Sequence, residues 1–135
     1  MSDEIEFDGM EEWTTDPNLE VGDGIDIDYG DGKFITIRRA GGRNLAYSKA
    51  ITKLAPKRRK NLSAQQDRNL MIQVYVQSII VGWRGFTSGG KAIPFTPGNL
   101  TKFLLAFPDV FEEIAAKATS LDEFLLKEKE ATAKN

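Results

Sequence analysis

Isoleucine falls on every second position at two places early in the chain. Ile25 and Ile27, followed by Tyr29, alternate with Asp26 and Asp28, and Ile35 and Ile37 alternate with Phe34 and Thr36. A period of two is that of a half-buried strand, so the stretch predicts a β-hairpin. A two-residue Asp31-Gly32 turn would pair Ile27 with Thr36 and send the two isoleucine rows to opposite faces. A three-residue Gly30-Asp31-Gly32 loop, with Gly32 left-handed in a bulge, pairs Ile27 with Ile35 and Ile25 with Ile37 and buries one face. The outer face then carries Asp26 and Asp28 with Thr36 and Arg38, Asp26 and Arg38 being diagonal neighbours. The same acid-rich stretch does not make a calcium loop. An EF-hand register begun at Asp26 puts Ile37, and one begun at Asp23 puts Phe34, where a bidentate Glu must stand.

Beyond Gly41 and Gly42 the apolar period lengthens to that of a helix. Leu45, Ala46, Ile51 and Leu54 predict a helix over 45–54, with Asn44 as its cap and Pro56 as its stop. Ser63 and Gln66 form a capping box, stapled by Leu62, for a central helix expected over 64–83. Its apolar side, from Leu70 and Met71 through Val74 and Tyr75 to Ile79, Ile80, Val81 and Trp83, is wide enough to be mostly covered. The β-branched cluster also permits a strand, but the capping box and the length favour helix. Gly82, Gly85, Gly89 and Gly90 open a loop that ends at Pro94 and Phe95. Thr96 and Pro97 then start a helix over 97–106, and Pro108 starts another over 108–118 with Val110, Phe111, Ile114 and Ala115 on one side. Ser120 with Glu123 caps a last helix that buries Leu121, Phe124 and Leu125.

The pattern therefore gives a mainly α fold with an N-terminal β-hairpin, an α+β fold of four to five helices around one core. Residues 1–22 read as an acidic flexible tail in which Trp13 anchors transiently, 23–41 as the hairpin and 42–135 as a helical domain. Hairpin and helices form one globular domain, as suits a chain of 135 residues.

Composition narrows the chemistry. With no Cys and no His, the chain lacks thiol and imidazole nucleophiles, the commonest general base and the usual zinc ligands. No GxSxG, P-loop or GxGxxG pattern supplies a scaffold for carboxylate, Ser or Lys chemistry. No enzyme, catalytic residue, cofactor or metal is expected. The acidic first residues lack an apolar h-region, so no secretory signal is expected, and the longest uncharged run, 69–83, falls short of the roughly 20 residues of a membrane span.

The formal net charge of -2 conceals a segregated chain, because residues 1–32 hold acids without a Lys or Arg and residues 33–60 hold bases without an acid. Such segregation marks partner contacts or the pairing of an acidic tail with a basic face. Lys53, Lys57, Arg58, Arg59 and Lys60 are candidates for a patch that docks an acidic partner or the chain's own tail, the plain alternative being a solvated connector. Trp83, Arg84 and Phe86 are candidate anchors for an apolar partner, with core packing the plain alternative for Trp83. Nucleic-acid binding through the basic segment 49–60 is the rival function, opposed by the acidic first quarter and a pI near 5.2.

Five strings in order, "GKFITIRRAG", "PKRRK", "VYVQSIIVGWRGF", "GGKAIPFTPGNLTKFLLAFPDVFEEI" and "FLLKEKEATAKN", give the chain a family likeness over about three quarters of its length. It resembles the tail assembly chaperones of long, non-contractile-tailed phages of the lambda type. The most specific piece is Gly82-Trp83 followed, after a gap, by Pro94-Phe95-Thr96-Pro97. The family commonly shows Tyr-Ala-Glu on the central helix, where this chain has Tyr75, Val76 and Gln77. The resemblance implies a non-enzymatic factor of the bacterial host cytoplasm, absent from the mature virion, that binds the tape measure protein and helps recruit the major tail tube protein; many weak copies covering one long partner make self-association a corollary. It also implies a longer product made by a -1 frameshift. The closing Ala133-Lys134-Asn135 can be encoded GCA-AAA-AAC, which contains a slippery heptamer.

Overall fold

The computed structural model describes residue 5, residues 7–58 and residues 61–126. Arg59, Lys60 and the expected slip site at Ala133, Lys134 and Asn135 lie outside the described residues. The fold is α+β. An antiparallel three-stranded sheet runs in the order β1 (Ile25–Asp28), β2 (Phe34–Ile37), β3 (Ile80–Arg84). The long helices are α2 (Leu45–Arg58), α3 (Ala64–Ser78), α4 (Pro97–Ala106) and α5 (Pro108–Ala118), preceded by a short α1 (Pro17–Val21).

The hairpin has the register its isoleucines dictate, with Ile27 opposite Ile35 and Ile25 opposite Ile37. Its three loop residues are all left-handed, Gly30 at φ 82°, Asp31 at φ 54° and Gly32 at φ 74°. Glycine adopts such angles without strain, and Asp31 is one of the few residue types that tolerates them. The Asp28 carboxylate accepts the Gly30 N–H at 2.8 Å and ties the turn. Ile27, Ile35 and Ile37 are buried and belong to one cluster with Leu54, Ile72, Tyr75, Leu104 and Ile114, which makes one core from sheet and helices.

The central helix is shorter than its pattern predicts. Its capping box forms, with the Ser63 Oγ accepting the Gln66 N–H at 3.1 Å and the Gln66 Oε1 accepting the Ser63 N–H at 2.9 Å. It ends at Ser78, however, and the β-branched run that follows becomes β3. Two partners outside the local sequence decide this. The free edge of β2 pairs with Ile80, Gly82, Trp83 and Arg84, Val81 falling in a bulge, and the buried Asn44 side chain donates to the Ser78 carbonyl at 3.0 Å where a helical N–H would otherwise be needed. Asn44 also caps α2 by accepting the Tyr47 N–H at 3.2 Å and donates to the Arg39 carbonyl at 2.9 Å, so one amide joins the hairpin exit, the start of α2 and the end of α3.

Three further expectations need correcting. Pro56 does not stop α2, because a proline there removes one hydrogen bond near the helix end, and Arg58 then grips Asp67 with two bonds of 2.7 and 3.0 Å that hold the last turn against α3. Asp26 does not pair with Arg38. It accepts from the Thr36 hydroxyl at 2.6 Å and from Arg84 on β3 at 3.0 Å, while Arg38 donates to the Gly22 carbonyl. The segment after Ser120 is a 3-10 turn over Leu121–Phe124 with no Ser120 side-chain cap, because the chain is drawn next into a bridge between Thr15 and Leu125. α4 and α5, by contrast, keep the bounds that Thr96-Pro97 and Pro108 predict.

The same bridge corrects the reading of residues 1–22. From Thr14 onward they belong to the fold. The Thr14 carbonyl accepts the Leu126 N–H at 2.7 Å, the Asp16 N–H donates to the Phe124 carbonyl at 2.8 Å, and the Asp16 side chain caps α1. Glu20 on α1 is wholly buried, its carboxylate gripped by Arg39 at 2.6 Å and Arg43 at 2.5 Å. Burial alone would raise its pKa, but hydrogen bonds from Arg39, the Thr15 hydroxyl and Arg43, together with the charge of Arg39, more than offset this and hold the acid below its ordinary value.

Removing one partner from a buried ion pair strands a charge. Glu20→Ala should therefore cost about 3–5 kcal/mol in urea unfolding, and Arg43→Ala, whose side chain is 55% exposed, about 1 kcal/mol or less. A depressed carboxylate contributes stability that is complete above its unfolded pKa and lost as pH falls through the folded one. Unfolding midpoints should accordingly drop on acidification below the ordinary carboxylate range, and Glu20→Gln should flatten that slope.

Candidate functional site

The loop expected after the central helix is a small built structure. β3 is followed by Gly85, which sits at φ 86° and where a β-carbon would run into the Gly32 carbonyl, so the chain can turn there only at a glycine. Beyond it, β4 (Thr87–Ser88) and β5 (Lys91–Ala92) form a two-rung ribbon, closed at its base by the Ile93 N–H donating to the Phe86 carbonyl at 2.9 Å. Asn99 on α4 then donates to the Pro94 carbonyl at 2.9 Å and anchors the ribbon to the helix.

These devices assemble an aromatic cluster. The half-buried Trp83 donates its indole N–H to the Ile93 carbonyl at 3.0 Å. Its ring centroid lies 5.3 Å from Phe86, 5.3 Å from Phe95 and 5.8 Å from Phe103, the last two edge to face. Phe86 meets Phe103 at 5.4 Å, and Phe103 meets Phe107 at 5.2 Å. Between Trp83, Phe86, Ile93, Phe103 and Phe107 runs an open groove of about 350 Å³ with Lys102 on its rim. Phe107 is 52% exposed. A surface of several aromatic rings in edge-to-face or tilted contact and still open to water is the chemistry of an apolar side-chain binding site.

The candidate residues fall into three groups. Trp83 and Phe86 come together in the groove. Arg84 points to the other face of β3, where it pairs with Asp26 and lies 4.2 Å over the Phe34 ring. The Thr36 hydroxyl chiefly, opposed by burial and assisted by Arg84, holds the Asp26 carboxyl below its ordinary value. Lys53 and Lys57 are exposed on α2 and line a different hollow, between α2 and α3, while Arg58 is occupied by Asp67. Among the described residues no group of three or more Asp and Glu side chains is placed to hold a metal ion, and no helix is long and apolar enough to cross a membrane.

The sequence also held a signal for the rest of the groove. Leu100 and Leu104 bury the core side of α4, and Phe103 with the C-cap residue Phe107 repeats the spacing of four, three positions later. Phe103 packs partly on the core and Phe107 stays exposed, so this pair links the core to the open groove. Trp83→Ala should cost about 2–3 kcal/mol by denaturant unfolding, because it empties the centre of the cluster. Phe107→Ala should stay within about 1 kcal/mol of the native chain.

Neither curated proteins nor solved structures offer a match to the chain. A family model does, that of the YdaY prophage protein, over residues 42–135. The match begins at the glycine pair after β2 and takes in β3, the ribbon, every long helix and the whole aromatic groove. On that coverage the chain belongs to the YdaY prophage protein family.

Proposed function

We propose that this prophage protein is a non-enzymatic tail assembly chaperone, which holds the tape measure protein in the host cytoplasm, helps recruit the major tail tube protein and is left out of the finished particle. The observation that carries the proposal is the open aromatic groove. The string behind the resemblance to lambda-type chaperones, Gly82-Trp83 and then Pro94-Phe95-Thr96-Pro97, supplies much of its framework: Trp83 is its central ring, Phe95 meets Trp83 edge to face at 5.3 Å, and Thr96 and Pro97 start the helix that carries Phe103 and is capped at its end by Phe107.

The groove suits the task in size and chemistry. About 350 Å³ takes one or two large apolar side chains, as an amphipathic helix presents them at spacings of three and four. One such contact is weak. A tape measure protein is long and repeatedly apolar, so many copies bound along it hold by avidity while each remains easy to displace when tube subunits arrive.

Co-expression with the tape measure protein of the same prophage tests this. The expected result is a soluble complex that co-purifies, and Phe107→Asp, which changes an exposed residue, should lower the yield of complex roughly tenfold or more without unfolding the chain. A tape measure protein that is equally soluble alone and never co-purifies overturns the proposal.

A further inference from the structure

A second surface, away from the aromatic groove, carries its own inference. α2 bears Lys49, Lys53, Lys57 and Arg58 and no acid. The three lysines recur every four residues and so share one face of the helix. Among the described residues none of the three is paired with a carboxylate, whereas Arg58 is taken by Asp67. The stripe borders two adjoining hollows that share Lys53. One, about 240 Å³, has an apolar floor of Ala50, Leu54, Leu70 and Val74, and the other, about 350 Å³, lies beside Lys49.

The chemical complement of this stripe is on the same chain. Residues 7–13, Phe-Asp-Gly-Met-Glu-Glu-Trp, hold three acids and no base. Their apolar side chains stand in water, Phe7 at 66%, Met10 at 42% and Trp13 at 60% exposure. Three exposed large apolar groups interleaved with acids match an apolar floor edged by lysines, in both charge and polarity. The root of this segment is fixed elsewhere, by the Thr14–Leu126 and Thr15–Leu125 pairing at the far end of the chain. A second molecule can bring a segment to the groove without disturbing that root.

We propose that residues 7–13 of one copy dock in the α2–α3 groove of a second copy, with Phe7, Met10 and Trp13 on the apolar floor and Asp8, Glu11 and Glu12 against Lys49, Lys53 and Lys57. The pairing is reciprocal in a dimer and propagates if it does not close. It uses a different surface from the tape measure contact and stands or falls independently of it.

Sedimentation velocity of the full chain over a concentration series tests the proposal. The expected result is association that weakens roughly tenfold or more in high salt, and equally in Lys53→Glu/Lys57→Glu and in Phe7→Ser/Trp13→Ser, all of which change exposed residues. The decisive arm mixes the two variants. Neither associates alone, but together they should, because one keeps its groove and the other its segment. A chain that stays monomeric at every concentration overturns the proposal. So does an intramolecular contact, seen as Trp13 fluorescence that shifts in Lys53→Glu/Lys57→Glu while the mass stays that of a monomer. So does a lysine stripe whose loss abolishes duplex DNA binding and leaves self-association unchanged.

Discussion

The fold depends on a carboxylate that has been taken wholly out of water. Glu20 sits on a helix of five residues, too short to be stable alone, and its two arginines come from the end of the hairpin and from the turn before α2. Desolvating an acid costs several kcal/mol unless its oxygens are fully paired, so the segment bearing Glu20 can settle only where Arg39 and Arg43 already stand. Arg39 in turn is placed by Asn44, which takes its carbonyl, and by the Glu20 carbonyl, which accepts its N–H at 3.1 Å. Hairpin exit, α2 start, α3 end and N-terminal segment therefore lock at one point, where one acid of the acidic block meets two bases of the basic one.

What was legible in the sequence is what local rules determine. The hairpin register followed from two isoleucine pairs and a Gly-Asp-Gly turn, and α4 and α5 followed from a threonine or a proline at their first positions. What was not legible depends on partners far along the chain. Nothing near Ile79 says that β2 has an open edge waiting for a strand, and nothing near Glu20 shows the arginines 19 and 23 residues away. The end of the central helix and the burial of the acidic segment were therefore hidden for one reason: a tertiary bond overrode a local preference.

The groove was half visible for a related reason. Trp83 and Phe86 announced themselves as large aromatics beside glycines. Phe103 and Phe107 carried only a spacing of four at the end of α4, which acquires meaning once the ribbon folds over that helix. Arg84 was misgrouped with Trp83 by adjacency, since neighbours on a strand face opposite ways. The resulting surface is rigid where it is polar, through the bonds from Trp83 to Ile93 and from Asn99 to Pro94, and open where it is apolar. A site of this kind binds by shape and without prior ordering, which keeps the entropic cost of each engagement low.

The pairing of Thr14 and Thr15 with Leu125 and Leu126 has a mechanical consequence. The two segments of this bridge are antiparallel, so the residues before Thr14 and those after Leu126 are joined to the same end of it. A pull on the flanking segments therefore loads its hydrogen bonds one after another, as a zipper is opened, and the three-stranded sheet feels no force until the bridge has parted. The bridge lies in series with both flanking segments, so tension on them falls first on a few hydrogen bonds that can re-form, while the core stays closed.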